Sequence, residues 1–161
     1  MKVGKESEII AQALEIPVGM EAFSTFARTS DKLLVLVNDG TRPTPTSKVL
    51  KELYPILKEH PNVKFLIATG AHRGPTEDEL KYIFGELLDE FLSRIHVHDA
   101  RKDEDMVYLG ESSNGTEMYL NRLVTETKNI LVIGSVEPHY FAGYTGGRKS
   151  FLPGVAAYRT I

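Results

Sequence analysis

Leu33-Leu-Val-Leu-Val-Asn-Asp-Gly-Thr-Arg-Pro-Thr-Pro45 decides the fold. Leu33 to Val37 is a short, continuous apolar run, the pattern of a strand covered on both faces. The glycine and two prolines that follow prevent regular structure. Beyond them Val49, Leu50, Leu53, Ile56 and Leu57 fall on one helical face, with Pro55 expected to kink that helix or start a new turn. Val63-Lys-Phe-Leu-Ile-Ala68 then reads as a second buried strand, running into Thr69-Gly-Ala-His-Arg-Gly74. Thr76 and Glu79 form a capping box, and Leu80, Ile83, Phe84, Leu87 and Leu88 give the next helix an apolar face. Strand, helix, strand, helix predicts an α/β fold of three layers: a mostly parallel sheet with helices on both faces.

Ile95-His-Val-His98 is a weaker third strand. Val107–Leu109 and Glu117–Leu120 flank Ser113-Asn-Gly115, the signature of a β-hairpin excursion. Asn121 to Thr127 reads as a short helix or turn, and Ile130-Leu-Val-Ile-Gly134 as a further buried strand. That strand feeds Glu137-Pro-His-Tyr-Phe-Ala-Gly-Tyr-Thr-Gly-Gly-Arg-Lys-Ser-Phe-Leu-Pro-Gly154. Three strands thus end in polar, glycine-bearing loops, Asp39–Arg42, Thr69–Gly74 and Glu137–Lys149. Ligands of open α/β sheets bind beyond the carboxyl ends of the strands, so these loops are expected to converge on one site.

Composition narrows the function. With 161 residues, 42% hydrophobic and 25% charged, the chain suits one soluble domain with its own core. A formal charge of -3 argues against a nucleic-acid or anionic-membrane surface. Cysteine is absent, which excludes disulfides, thiolate metal sites and cysteine nucleophiles. No apolar run approaches the roughly 20 residues of a membrane span, and Glu6, Glu8 and Glu15 interrupt any signal-peptide core. A cytoplasmic location is the expectation.

His72 and His139 each follow a predicted strand closely and can exchange protons near neutrality. Lys149 has three readings: phosphate ligand, surface charge, or nucleophile toward an acyl or carbonyl group. Gly146 and Gly147 allow close backbone approach to a ligand. Arg42 can grip a carboxylate or phosphate, Thr41 can donate to the same anion, and Asp39 can orient a partner or balance a cation. The plainer reading of Asp39 and Arg42 is an Asx-turn beside a surface arginine. His96 and His98 share a strand face but lack a nearby third metal ligand, so a structural role is favoured. His60 is given no role. Gly146-Gly-Arg-Lys-Ser150 has the wrong spacing for a P-loop.

Taken together, the loops at 38–45, 69–74 and 137–154 resemble the N-terminal domain of the nickel-dependent lactate racemase family, in order and over about residues 10–161. The resemblance implies a racemase or epimerase of 2-hydroxy acids. Its implied cofactor is the nickel-pincer nucleotide, nickel pyridinium-3,5-bisthiocarboxylic acid mononucleotide, tethered to Lys149. Hydride leaves the substrate C2 and returns to the other face while His72 and His139 serve as acid and base. By the same resemblance Asp39 and Arg42 lie near cofactor and substrate, with Thr41 between them, and the glycine-rich loop that contains Gly146 and Gly147 holds the cofactor phosphate through backbone N–H groups. One departure is plain: the family's protein nickel ligand is a histidine beyond the tethering lysine, and no histidine follows His139. No metal ligand is therefore assigned in this chain. The ending Ala157-Tyr-Arg-Thr-Ile161 has no closing signal. The expectation is a single α/β domain over 1–161, the N-terminal cofactor-tethering part of a longer two-domain enzyme and inactive alone. Its partners would be a 2-hydroxy acid and the missing C-terminal domain. The alternative is a non-catalytic α/β module that binds a phosphorylated or carboxylated small molecule.

Overall fold

The computed structural model describes residues 5–140 and 143–161; residues 1–4 and 141–142, the latter within the glycine-rich loop, lie outside it. Two helices not anticipated from the sequence, α1 (Glu6–Glu15) and α2 (Phe23–Thr29), precede β1 (Leu33–Asn38). Then follow α3 (Thr46–Leu57), β2 (Val63–Ala68), α4 (Glu77–Phe84), α5 (Leu88–Phe91) and β3 (Ile95–Val97). The hairpin of β4 (Met106–Glu111) and β5 (Glu117–Asn121) leads through α6 (Arg122–Thr125) to β6 (Asn129–Ile133). The short pair β7 (Pro138–His139) and β8 (Gly143–Tyr144) and a 3-10 turn at Gly147–Ser150 complete the chain. Among the described residues no helix is long and apolar enough to cross a membrane.

Four strands form one parallel sheet in the order β3-β2-β1-β6. Central β1 is paired on both edges, and Leu33 to Val37 are at most 1% exposed, as its uninterrupted apolar run requires. Alternation splits the core. Leu33, Val35, Val37, Phe65 and Ile67 pack with Leu50, Leu53, Leu57, Phe84 and Phe91 of the helices. Leu34, Leu36 and Leu66 face the other way, onto Leu123 and Val124 of α6 and onto Phe151 and Val155. Helices therefore cover both faces, although the second carries a single α-helical turn and irregular chain.

Pro55 does not end α3. It sits in the last turn on the solvent side, where the Lys51 carbonyl it leaves without a backbone donor reaches water; both residues are exposed. The capping box of α4 forms as the sequence predicts: Glu79 N donates to Thr76 Oγ1 at 3.2 Å and Thr76 N to Glu79 Oε2 at 2.7 Å. The hairpin turn at Ser113-Asn-Gly115 likewise forms.

His98 is the structural rivet of the second face. It is 1% exposed. Its Nε2 lies 3.0 Å from the Ala156 carbonyl and its Nδ1 3.3 Å from Asn121 Nδ2. The carbonyl must accept and the amide NH₂ must donate, so the ring is neutral and carries its proton on Nε2. Both nitrogens are thereby used within the fold, in keeping with the structural reading over the metal pair. His60 is likewise buried, bonded to the Ser30 carbonyl and Asn62 N. Burial holds His98 below the ordinary histidine value of 6.5, against the opposing hydrogen bond to Ala156. The unfolded chain then takes up the proton more readily than the folded one. The stability contributed is full above about pH 6.5 and is lost below it, as pH falls through the lower folded-state value. Replacing His98 by alanine is expected to cost about 2–4 kcal/mol in urea unfolding at pH 7.5, because the Ala156 carbonyl and Asn121 amide lose their partners. It should also flatten the acid-side decline of stability.

Candidate functional site

The carboxyl ends of β1, β2 and β6 lie side by side, since Asn38 is in register with Ala68, and Val37 with Ile133. β2 and β3 continue the chain to one side of β1, whereas β6 returns on the other, so a switch point opens between β1 and β6. There the three glycine-bearing loops surround a cavity of about 390 Å³, lined among others by Asp39, Arg42, His72, His139, Gly146 and Lys149. Six of the eight residues singled out from the sequence thus share one cavity. Thr41 and Gly147 do not line it. Thr41 instead donates to Asp39 Oδ1, through Oγ1 at 2.6 Å and through its backbone N at 3.2 Å. Gly147 opens the 3-10 turn and is exposed.

Asp39 is buried and spends its second oxygen on His72: Nδ1 lies 2.7 Å from Oδ2. A carboxylate oxygen accepts, so Nδ1 carries the proton and Nε2 is left as the acceptor nitrogen of a half-exposed ring. The Asx-turn and the orienting role foreseen for Asp39 are therefore one arrangement, with Thr41 fixing one oxygen and His72 the other. The next residue secures the loop. Arg73 donates two hydrogen bonds to Glu79 at 2.8 and 2.9 Å. This guanidinium, with the Thr76 backbone N–H, holds the Glu79 carboxyl down to about 2. Gly40 packs against the same glutamate, and a Cβ there would sit 2.6 Å from Glu79 Cγ.

On the other side of β1, Thr145 closes the base of the long loop. Its Oγ1 donates to the Ser135 carbonyl at 2.8 Å and accepts from Glu137 N at 2.9 Å. Gly146 follows at φ 80°, and a Cβ there would lie 2.9 Å from the Ser135 carbonyl oxygen, so the loop admits no side chain at that point. The 3-10 turn then carries Lys149 to the cavity wall. Burial, and secondarily Arg42, push the Lys149 amine below its ordinary value. His139 is also pushed down, first by desolvation, then by Lys149 and Arg42. Its ring stacks on Tyr140 with centroids 5.1 Å apart. Both shifts favour the neutral forms, an imidazole that accepts protons and an amine that attacks electrophiles.

Tertiary bonds that the sequence does not signal join the three loops. Asn38 Nδ2 donates to Thr44 Oγ1 at 2.8 Å, and Thr44 Oγ1 to Ser135 Oγ at 3.1 Å, across 91 positions. Gly70 N donates to the Gly154 carbonyl at 2.9 Å, tying the His72 loop to the segment after Lys149. Asn38 could have been suspected as the polar end of an apolar strand; Thr44, Ser135 and Thr145 carry no such local signal.

Known proteins resemble this chain in sequence and in fold. The lactate racemase N-terminal domain family matches residues 1–161. Lactate racemase from Thermoanaerobacterium thermosaccharolyticum is 39% identical over 159 residues, which are 97% of this chain and 37% of that protein. Lactate racemase from Lactiplantibacillus plantarum is 33% identical over 160 residues, again 97% and 37%. The solved structure of the Thermoanaerobacterium thermosaccharolyticum lactate racemase apoprotein matches with a TM-score of 0.88, covering 98% of this chain and 38% of that one. A structural-genomics protein from Thermotoga maritima, 27% identical, matches with a TM-score of 0.75 over 94% of this chain and 38% of its own. The chain spans little more than a third of the length of these relatives. By sequence and by fold, this chain belongs to the lactate racemase N-terminal domain family.

Proposed function

We propose that this chain is the cofactor-tethering and proton-transferring part of a 2-hydroxy-acid racemase or epimerase, working within a longer polypeptide whose remaining domain completes the substrate pocket. The observation that carries this reading is the convergence of an aspartate-oriented histidine, a second histidine and a lysine of lowered pKa on one cavity. Racemisation needs proton exchange from two sides of a planar intermediate. His72 and His139 stand on loops that leave strands flanking β1, which suits them to opposite faces.

The residues present also fit the nickel-pincer nucleotide in part. The downward shift of the Lys149 amine favours the neutral form that an acyl or thioacyl tether requires. Arg42 supplies a cation for a phosphate or carboxylate, and the cavity volume of about 390 Å³ is within the range of small-molecule sites. When bound, that group supplies a hydride acceptor, which the protein's own side chains lack. The chain's residues do the rest. His72 Nε2 or His139 takes the substrate hydroxyl proton, the other histidine returns one, and Arg42 orients the carboxylate. Asp39 keeps the His72 tautomer constant.

The test is chiral analysis of lactate incubated with the complete polypeptide produced together with the cofactor's biosynthetic enzymes and nickel. Interconversion of the two enantiomers is expected, and His139→Ala is expected to lower it about 10²- to 10⁴-fold while leaving the mass of the modified protein unchanged. A fully modified protein that racemises neither lactate nor other 2-hydroxy acids would reduce the assignment to a binding module.

A further inference from the structure

We infer that a second cavity, at the opposite end of the sheet, is a binding site for a phosphate-type oxyanion. It lies at the amino-terminal ends of β1 and β2, bordered by Lys32, Leu33, Asn62 and Val63, and encloses about 390 Å³. Six-residue strands separate it from the site at their carboxyl ends, a distance of roughly 20 Å at the usual rise per residue. The two cavities share no lining residue.

Its charge is one-sided. Lys32, Lys64 and Arg94 line it, with His96 as a further nitrogen donor and Glu126 as the one carboxylate. Three cations against one anion leave an excess of two positive charges, the complement of a phosphate-monoester dianion. None of the three cations is paired with a carboxylate among the described residues. Register explains why two of the groups meet. Lys64 and Leu66 alternate onto the same face of β2, and His96 of β3 pairs with Leu66. Accordingly the Lys64 charge acts on His96, which burial and Lys64 together push down while Asp105 opposes them.

Arg94 reaches the same cavity from outside β1 and β2. Its Nη1 is buried with no hydrogen-bond acceptor among the described residues, while its guanidinium lies over the Phe91 ring at 6.0 Å. An oxyanion in the cavity neutralises the cations. A group with three or more oxygens suits donors that arrive from separate elements better than a simple carboxylate does. The volume exceeds that of inorganic phosphate, which leaves room for the organic part of a phosphate ester.

The experiment is a titration of the complete polypeptide with inorganic phosphate at constant ionic strength, read by NMR at the His96 ring. Saturable shifts are expected, together with a higher His96 titration midpoint in phosphate than in chloride. Lys64→Gln and Arg94→Gln should each weaken phosphate binding roughly 10- to 100-fold, with urea midpoints near the parent's and racemisation unchanged. Glycerol 3-phosphate separates the sources. Tighter binding than phosphate assigns an ester; equal binding assigns the free ion. The proposal is overturned if His96 behaves identically in phosphate and chloride, or if both variants bind phosphate as the parent does. It is also overturned if carboxylates from the rest of the polypeptide are found seated on Lys64 and Arg94. Apart from the racemisation control, none of these readouts depends on the racemase reading.

Discussion

Replacing Lys149 by alanine in the complete polypeptide is expected to reduce racemisation to background and to abolish any covalent adduct in the intact mass. The lysine sits at the cavity wall at the end of a loop built to deliver it. Thr145 pins the base, Gly146 turns where no side chain fits, and the 3-10 turn brings the amine round. Burial and Arg42 both favour the neutral amine, and only that form attacks an acyl or thioacyl carbon. Lys149→Arg separates charge from nucleophilicity. A guanidinium keeps the cation but stays protonated, so this variant is expected to be as inactive as the alanine, also without an adduct. If Lys149→Arg retained substantial activity, the lysine would be a charge for an anion rather than a tether. Stability should change little in either variant, because the side chain lies at the cavity and outside both hydrophobic clusters.

The second large effect is expected at Asp39. Asp39→Asn should lower racemisation about 10²- to 10⁴-fold, close to the loss in His72→Ala. The carboxylate places an acceptor 2.7 Å from His72 Nδ1 and so keeps the proton on that nitrogen. An asparagine at this position keeps one oxygen, and Thr41 already donates twice to Asp39 Oδ1. The amide oxygen therefore stays with Thr41 and the NH₂ group faces His72. Nδ1 then becomes the acceptor, and the wrong ring nitrogen is left to take the substrate proton. Asp39 acts through His72, so it is a positioning residue, and the two losses should not add. The double variant Asp39→Asn, His72→Ala is expected to be no slower than His72→Ala alone. Additive losses would mean that Asp39 has a separate role, and the tautomer argument would fail. Intact mass should show the Lys149 modification in all three.

The parts of this molecule that were legible in the sequence are those set by neighbours along the chain. Leu33 to Val37 could only be a doubly covered strand, and the structure buries every one of them. Thr76 and Glu79 cap a helix because an N-terminal turn has donors to satisfy within three residues. Three apolar strands ending in glycine- and proline-bearing loops implied a site, since parallel strands place their carboxyl ends together. Residue types then picked out His72, His139, Lys149, Asp39 and Arg42, all of which line the cavity. The α1 and α2 segments were less readable; α1 buries no residue fully, so its apolar pattern is faint.

What the tertiary structure alone decided is which distant groups meet. The order β3-β2-β1-β6 put β1 in the centre and set the loops of His72 and His139 on either side of it. It joined Asp39 to His72 across 33 positions and Thr44 to Ser135 across 91. It also sorted the histidines, placing His98 in the core as a hydrogen-bonded rivet and His72 at the cavity beside a buried carboxylate. These outcomes depend on the path by which the chain returns across the sheet. Helix, strand and turn preferences act over a few residues, whereas a buried hydrogen bond between remote side chains exists only once packing has removed water from both.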